Sequence, residues 1–587
     1  MKYALNDPSA QTGKSASLFA TLRSLLNLIR HEWGIMAVAF LAIFVNIGAT
    51  LAGFALVGFA IDAYVVPRQY SGVLWASAVL LGLFLLGLVA SYAQTRLMGG
   101  VGQRLLFTLR SAIFSRLQAL PVAFFNQNKA GDLISRINND TDKLNQFFSQ
   151  ALMQFLSNLF VIGGSAIFIL ALNPRLGVAT LSPALVIILI TRLLSPWVKK
   201  MNALSLRASG DMSAEIQESL NNFKVVVAFN RRDYFRTRFA EENQRNYKSA
   251  VKAGIANNIF VPIYGLCSAL AQFIVIAYGI YLIVQGQFTV GLLISYFAYV
   301  TRFYEPLKQL ATLWASFQTA LAAWDRISAI LDMESDMTVL PPSDVKSNGA
   351  LLEFENVHFG YPDGNEVLHG ISFALERGKT YALVGPTGGG KTTTASLMAR
   401  LYDPTEGTVR LEGRDIRSVE HAERVKKIGF ILQEPFLLTG TVRENILYGN
   451  EELAHYTAEQ LSQALKDANL ETLLSRFEQG LETKVISGGE AISLGQRQLI
   501  AFIRAVLRKP DLLILDEATA NIDTVTEQLL EDILRKLPKT TTKVIIAHRL
   551  NTIENADEIF FVNAGDIVKA GSMEHAVEML LHGKRTS

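Results

Sequence analysis

The sequence predicts two unlike parts: an all-α membrane domain of six helices, followed by a soluble α/β domain built around a phosphate-binding loop. Apolar runs long enough to cross a bilayer occur only between residue 34 and about residue 320. From about residue 350 onward the composition is that of an ordinary soluble α/β domain. A glycine-rich loop at residues 385–392 follows a short apolar strand and precedes a helix.

The composition supports this division. Of the 587 residues, 50% are hydrophobic and 18% are charged, which is unusual for a soluble protein of this length. The net charge of +3 argues against a nucleic-acid partner. We expect a segment at 1–33, a membrane domain at 34–332, a polar linker at 333–349 that contains a Pro-Pro pair, and a soluble domain at 350–587. The single cysteine excludes an intramolecular disulfide, and no cleaved secretory signal is expected.

Six stretches are candidates for membrane spans, since about 20 apolar residues cross the hydrocarbon core. They are residues 34–60, 73–93, 152–172, 176–194, 259–284 and 290–313. An Asn-Pro-Arg break at residues 173–175 separates the third span from the fourth, and Gln-Gly-Gln at 285–287 ends the fifth. The connections after the second and fourth spans are about 60 residues long and rich in Lys and Arg. The positive-inside rule predicts that these connections, residues 1–33 and the soluble domain are cytoplasmic.

Both long connections contain few Pro and Gly residues. Residues 105–120 and 213–229 have apolar positions at helical spacing. We therefore expect the spans to continue as helices well beyond the bilayer, with flexible linkers as the alternative.

The sixth span is the least apolar, because it contains Arg302, Glu305 and Lys308. Charges inside a span usually face a cavity or a partner. Arg302 and Glu305, with the aromatic residues Tyr296, Phe297, Tyr299, Phe303 and Tyr304, are thus candidates for a substrate cavity. The alternative is that the two charged residues pair with each other while the aromatic rings pack between helices.

The phosphate-binding loop matches the pattern G-x-x-x-x-G-K-T. Its glycines allow backbone N–H groups to surround phosphates, and the following helix adds positive charge at its N-terminus. Lys391 is predicted to reach the β- and γ-phosphates, and the Thr392 hydroxyl to bind Mg²⁺. The residues predicted to bind the nucleotide here are Gly385, Pro386, Thr387, Gly388, Gly389, Gly390, Lys391, Thr392 and Thr393.

Two further apolar strands end in polar residues. The first, residues 512–515, is followed by Asp516 and Glu517. Ligands of α/β sheets lie at the carboxyl ends of strands, so Asp516 is predicted to orient Mg²⁺ and Glu517 to polarise the attacking water as a general base. A solvated turn is the alternative. The second strand, residues 543–546, leads to His548. Its position after the acid-bearing strand makes it a candidate γ-phosphate contact, with a structural role as the alternative.

With these motifs together, residues 350–580 resemble the nucleotide-binding domain of an ATP-binding cassette (ABC) transporter. With the six spans, residues 20–580 resemble an exporter-type half-transporter. The resemblance implies ATP and Mg²⁺ as cofactors, with Thr392, Gln433 and Asp516 as metal ligands. It also implies an adenine-stacking ring at Tyr361 and catalytic roles for Glu517, His548 and Gln433.

The resemblance extends to segments that face other parts of the assembly. Residues 492–496 correspond to the signature, which contacts a partner's ATP through Ser493, Gly495 and Gln496, and Asp523 lies in the D-loop. In the membrane half, Phe124-Phe125 and residues 131–136 are similar to the segment before the first coupling helix. Residues 218–229 are similar to the segment after the second.

The signature departs from the family pattern Leu-Ser-Gly-Gly-Gln. This chain has Ile492 at the first position and Leu494 in place of the first glycine. Nearby, Ser487 stands where many relatives have glutamate. In the family, an altered signature beside an intact ATP-binding face marks the catalytic half of a heterodimer. The partner of such a half has a complete signature but lacks the catalytic glutamate. A homodimer with two working sites is the alternative.

The resemblance implies ATP-driven export of hydrophobic or amphipathic compounds such as drugs, lipids or peptides. The expected partners are a second half-transporter, membrane lipid and the hydrophobic substrate, and the expected location is the cell (inner) membrane. Import of a metal chelate, or a regulatory ATPase that transports nothing, are the competing functions. The sequence does not identify the substrate.

Overall fold

We describe the chain from a computed structural model. The described residues are 3–5, 30–341, 349–361, 364–433, 435–450, 452–486, 492–516, 524–546, 556–571, 574–575 and 578–579. The chain divides into two compact units. The membrane unit contains residues 6–118 and 130–333, and the ATPase unit contains residues 1–5, 119–129 and 334–587.

The described residues of the membrane unit form helices joined by short turns, with no strand among them, as the sequence predicts. Its helices are α1 (Trp33–Ala60), α2 (Tyr70–Gln118), α4 (Ala130–Ser135), α5 (Thr141–Gln146), α6 (Leu152–Leu172), α7 (Pro174–Asn221), α8 (Phe223–Ala228), α9 (Arg232–Asn258), α10 (Phe260–Val284) and α11 (Val290–Leu331). The short helix α3 (Val122–Gln127) falls in the ATPase unit. Turns of π-helix at Ile61–Val65, Arg136–Asp140 and Phe147–Ala151 interrupt the helical path.

Five helical segments of the described chain are long and apolar enough to cross a membrane. They are Arg30–Val65, Tyr70–Gln118, Ala130–Leu172, Pro174–Asn221 and Arg232–Val284. The sixth predicted span forms the first part of α11 and is less apolar than these five, since it carries Arg302, Glu305 and Lys308.

The helix boundaries follow local chemistry. The Asn173 side chain accepts a hydrogen bond from the Leu176 N–H at 3.1 Å, and Pro174 occupies the first position of α7. Gly286, with φ of 70°, ends α10 in the left-handed conformation that glycine favours. Helices α2 and α7 contain 49 and 48 residues. The prediction that these spans continue as helices beyond the bilayer is therefore confirmed for α2 to Gln118 and for α7 to Asn221.

The aromatic residues of α11 pack between helices. Tyr296, Tyr299 and Tyr304 are fully buried. The Tyr299 hydroxyl donates to the Leu51 carbonyl at 2.7 Å, and the Tyr304 hydroxyl donates to the Thr180 carbonyl at 2.6 Å. Arg302 and Glu305 form an ion pair at 3.4 Å with both side chains about half exposed. The buried rings and the ion pair agree with the packing alternative, and a substrate cavity at the half-exposed Arg302 and Glu305 stays a prediction.

The ATPase unit contains two main sheets. One has the strand order β2-β1-β4-β5 and the other has the order β12-β11-β3-β10-β9-β6, with β11, β3, β10, β9 and β6 parallel. The strands are β1 (Ala350–Gly360), β2 (Glu366–Glu376), β3 (Thr380–Val384), β4 (Glu406–Leu411), β5 (Arg414–Asp415), β6 (Ile428–Ile431), β7 (Gly440–Thr441), β8 (Lys484–Val485), β9 (Leu512–Asp516), β10 (Thr542–Ile546), β11 (Glu558–Asn563) and β12 (Asp566–Lys569).

Helices flank these sheets. The ATPase unit has one hydrophobic core around its sheets and another among its helices. The helices are α12 (Lys391–Met398), α13 (His421–Lys427), α14 (Val442–Leu447), α15 (Ala458–Asp467), α16 (Glu471–Leu474), α17 (Leu494–Val506) and α18 (Thr524–Lys536). Strands β3, β9 and β10 are almost wholly buried, as expected for parallel strands covered on both faces. The apolar side of α17 packs in the helical core through Leu499, Ile500 and Ile503.

Candidate ATP-binding site

The phosphate loop leaves the sheet where three parallel strands end. In register, Ile546 of β10 pairs with Leu383 of β3 on one side and with Asp516 of β9 on the other. The residues that follow these strands therefore leave the sheet at one edge, where α/β folds bind ligands. Residues 385–390 form the loop, and α12 begins at Lys391.

Neighbouring strands require glycine at specific positions of the loop. Gly385 has φ of 149° and Gly390 has φ of 111°, a region that other residues rarely adopt. A Cβ at Gly385 would collide with the Val562 carbonyl oxygen, and one at Gly389 would come within 2.6 Å of the same atom. Pro386, Thr387 and Gly388 are exposed at the rim. The loop is thus held in an open curve by β11 beneath it.

Lys391 is 5% exposed and lies along this curve. Its ammonium donates to the carbonyls of Gly385 at 2.8 Å and Pro386 at 3.0 Å. A lysine held over a loop of backbone N–H groups presents a fixed positive charge to an anion. The structure therefore brings together the loop and the lysine that the sequence predicts to bind phosphates.

Thr392 and Asp516 are adjacent despite their separation in sequence. The Thr392 hydroxyl donates to the Asp516 carboxylate at 3.3 Å, and Asp516 is 2% exposed. Hydroxyl and carboxylate oxygens are the hard ligands that Mg²⁺ prefers. The pair fits a Mg²⁺ ion beside the phosphate loop, in keeping with the sequence prediction. Gln433 lies two residues after β6, and its side chain is exposed.

Tyr361 lies beside the loop in an aromatic group. Its hydroxyl is 3.1 Å from the Thr393 hydroxyl, and its ring meets those of Phe359 and Tyr402 edge-on, with centroids 5.0 and 5.5 Å apart. A half-buried ring at this position offers a flat face for a base.

Tyr402 connects this aromatic group to helix α3. Its hydroxyl accepts a hydrogen bond at 2.7 Å from the Asn126 side chain in α3, and burial raises the pKa of Tyr402. The sequence analysis did not identify Tyr402 or Asn126, because 276 residues separate them. Both belong to the ATPase unit.

The signature residues begin a helix rather than a loop. Ser493 is the N-cap of α17 and Leu494 is its first residue. The Ser493 hydroxyl accepts from the Gln496 N–H at 3.2 Å, and the Gln496 side chain accepts from the Ser493 N–H at 2.9 Å. This is a capping box. Gln496 also donates to the Arg476 carbonyl at 2.7 Å, so the polar groups of Ser493 and Gln496 bind within the chain.

An arginine links the signature helix to the segment after Gln433. Arg504 of α17 donates to the carbonyls of Asn445 at 2.8 Å and Phe436 at 3.2 Å. Burial lowers the pKa of Arg504. The sequence analysis did not identify Arg504, because apolar periodicity alone places it on the flank of the helix. The contacts give α17 a direct mechanical connection to the residues that follow Gln433.

Three predicted site residues, Glu517, His548 and Asp523, lie outside the described residues, as does Ser487 near the signature. The strands that precede the first two do lie within them: β9 ends at Asp516 and β10 ends at Ile546. The described chain contains no cluster of three or more His, Cys, Asp or Glu residues suited to a metal ion.

A nucleotide-binding sheet joined to long membrane helices defines the class of this protein as an ATP-driven membrane transporter. The family model for the ABC transporter transmembrane region matches residues 36–307, and that for the ABC transporter matches residues 368–520. The chain belongs to the ABC transporter family, as an integral membrane protein that binds ATP and couples its hydrolysis to transport.

Several curated relatives match most of the chain. A multidrug resistance ABC transporter ATP-binding and permease protein of Lactococcus lactis subsp. cremoris is 31% identical over 85% of this chain and 84% of its own length. An ATP-dependent lipid A-core flippase of Pectobacterium atrosepticum is 31% identical over 95% and 96% of the two chains. A fatty acid ABC transporter ATP-binding/permease protein of Mycobacterium tuberculosis is 32% identical over 86% and 80%.

Proposed function

We propose that this protein exports hydrophobic or amphipathic compounds as one half of a heterodimer, with one hydrolytic ATP site and one slow site. Membrane lipid surrounds it, and its ATPase unit and residues 1–33 lie on the cytoplasmic side of the cell membrane. Relatives named for multidrug resistance, lipid A-core and fatty acids support an apolar substrate class.

In the hydrolytic site, this chain supplies the phosphate loop and the residues at the ends of β9 and β10. Tyr361 stacks on the adenine, and Lys391 with residues 385–390 binds the phosphates. Thr392, Asp516 and Gln433 would hold Mg²⁺, which when bound supplies positive charge against the transferred phosphoryl group. Glu517 acts as the general base on the attacking water, and His548 contacts the γ-phosphate.

In the slow site, this chain supplies the signature, through Ser493, Gly495 and Gln496. Asp523 belongs to the D-loop. The observation that carries the asymmetry is Leu494 in the first turn of α17. Close approach of a phosphate to a helix N-terminus depends on free backbone N–H groups. A leucine side chain in the first turn adds bulk that the family's glycine lacks.

Two measurements test this function. The chain is purified alone and with a co-expressed half-transporter that has a complete signature and lacks the catalytic glutamate, and ATP-dependent uptake of a lipophilic dye into inside-out vesicles is measured. We expect transport only from the pair. Full transport by the chain alone would refute the heterodimer. Dye-independent ATPase activity without transport in either preparation would favour a regulatory ATPase.

Glu517→Gln in this chain tests the assignment of the base. Loss of a general base typically lowers turnover by about 10²–10⁴-fold, so ATP hydrolysis by the pair should fall by that factor while ATP binding persists. The control is the same Glu→Gln substitution at Glu444, an exposed residue that caps a helix and lies far from Glu517 in the sequence. Hydrolysis within about twofold of the unmodified pair would rule out Glu517 as the base.

A further inference from the structure

The ATPase unit contains a cavity of about 420 Å³ that shares no residue with the phosphate loop. It lies among residues 119–122, the start of the linker, helix α13 and strand β6. Its apolar lining includes Leu120, Val122, Met337, Leu401 and Phe430. The polar lining includes Arg400, Arg424, Arg508 and His421, and none of the described lining residues is Asp or Glu.

Arg424 is a buried cation with little compensation. It is 8% exposed, and its guanidinium contacts the His421 Nδ1, which accepts at 2.9 Å. Among the described residues, no carboxylate lies within 4.0 Å of it. Burial, and then repulsion from Arg400, lower the pKa of Arg424.

Arg400 lines the same cavity, and its buried charge is compensated by a carboxylate and two carbonyls. It is 6% exposed, yet it donates to the Asp403 carboxylate at 2.9 Å and to the carbonyls of Ile416 at 3.2 Å and Thr338 at 2.5 Å. The Asp403 carboxylate is therefore bonded by Arg400, and its charge acts on Arg424 only over a longer distance.

Arg508 is a second cation in this lining that has no carboxylate within ion-pair distance among the residues that the structure describes. Its guanidinium donates to the Val425 carbonyl at 2.8 Å, and burial lowers the pKa of Arg508. Removing a charge from water costs several kcal/mol unless an opposite charge or hydrogen bonds compensate it. Arg424 and Arg508 both line the cavity, each bonds a ring nitrogen or a carbonyl rather than a carboxylate, and no lining residue in the described chain is acidic. An anion from solution can therefore supply the missing opposite charge.

We propose that this cavity binds a small amphipathic molecule through its phosphate group, with Arg424 and Arg508 as the donors. The planar fork of a guanidinium matches phosphate oxygens in a two-point, charge-assisted hydrogen bond. The volume lies within the roughly 300–1,000 Å³ of small-molecule sites, and the apolar wall accommodates the rest of the molecule. The lining of this cavity is separate from the phosphate loop at residues 385–392.

The test uses the full-length chain with Lys391→Met, which removes phosphate binding at the phosphate loop. Titration calorimetry measures the binding of inorganic phosphate, butyl phosphate and chloride. We expect both phosphates to bind, butyl phosphate more tightly, and chloride not to bind measurably. Adding Arg424→Leu should weaken both phosphates by about tenfold or more, since about 1.4 kcal/mol corresponds to tenfold. Lys426→Leu, which removes the same charge from the exposed side of α13, should leave both affinities unchanged.

Thermal unfolding separates binding from folding. A buried unpaired charge replaced by an apolar side chain of similar reach is typically neutral or stabilising. Arg424→Leu should therefore unfold no lower than its parent in phosphate-free buffer, and phosphate should raise the midpoint of the parent only. A lower midpoint without phosphate would show that Arg424 stabilises the fold itself and would overturn the proposal. Undiminished phosphate affinity in Arg424→Leu, or weaker binding of butyl phosphate than of phosphate, would overturn it as well.

Discussion

The phosphate loop (residues 385–392) and the signature segment (residues 492–496) both lie at helix N-termini, but their surroundings differ. The loop is shaped by its neighbours, since β11 excludes a Cβ at Gly385 and Gly389. The signature segment is shaped by its own capping box, and Leu494 occupies a position in its first turn without disturbing the helix. The phosphate loop tolerates little substitution, because a neighbouring strand leaves no room for side chains at its glycines. The signature segment can accept a substitution at Leu494 and remain helical, because its own capping box begins the helix.

The largest expected effect is at the phosphate loop. Lys391→Met should lower ATP affinity and hydrolysis by about 100-fold or more, because a preorganised donor to the transferred group is typically worth about 2.7–4 kcal/mol. ATP binding and phosphate release report the loss. Lys379→Met, which removes a lysine at the opposite end of β3, should change both by less than about twofold. Equal losses in the two variants would indicate a general effect on the sheet.

Leu494→Gly tests the signature side of the comparison. In a heterodimer, the slow site lacks a catalytic glutamate, so the glycine should tighten ATP binding there while turnover of the pair stays within about twofold. Glycine also costs the helix up to about 1 kcal/mol relative to alanine, and Leu494→Ala controls for the loss of side-chain bulk. ATP binding and steady-state turnover are measured on each pair. A several-fold rise in turnover would instead indicate two hydrolytic sites, as in a homodimer.

Tyr361→Ala should weaken ATP binding by about tenfold, since stacking of a base on an aromatic ring contributes about 1–3 kcal/mol. Tyr361→Phe keeps the ring and removes the contact with the Thr393 hydroxyl, so it should stay within about threefold. Competition between ATP and triphosphate measures the contribution of the base alone. If both variants lose the same affinity, the hydroxyl rather than the ring carries the interaction.

The smallest effect is expected where the aromatic group meets α3. Tyr402→Phe removes the acceptor for Asn126 and should change ATP affinity little, because a single hydrogen bond contributes about 0.5–1.5 kcal/mol. Stimulation of ATP hydrolysis by transported compounds should fall by about two- to threefold if this bond transmits the signal. The control for loss of a tyrosine hydroxyl is Tyr448→Phe, because the Tyr448 ring packs against the Arg504 guanidinium and not against α3.

Local patterns predicted the parts of the molecule whose causes are local. The Asn-Pro-Arg break before α7, the strand that delivers Asp516, and the continuation of the second span to Gln118 each follow from a few adjacent residues. The capping box of Ser493 and Gln496 likewise corresponds to a local pattern, S-x-x-Q.

Tertiary contacts account for what the sequence did not reveal. The bond from Asn126 to Tyr402 and the burial of Arg424 depend on segments far apart in the chain. The charges of α11 show how two predictions can remain from one local pattern. Arg302 and Glu305 lie one helical turn apart and form an ion pair, and the sequence alone predicts either such a pair or a cavity. Charge within a span is ambiguous until the neighbouring turns are known.

The length of α2 and α7 has a mechanical consequence. At about 1.5 Å per residue, 49 residues extend roughly 73 Å, while the hydrocarbon core is about 30 Å thick. More than half of each rod thus stands outside the bilayer. When such a helix pivots at the membrane surface, its longer outer arm moves further than its inner arm. The force at the inner arm is then larger than the force applied to the outer arm. A modest push applied far from the lipid can then separate tightly packed segments within it.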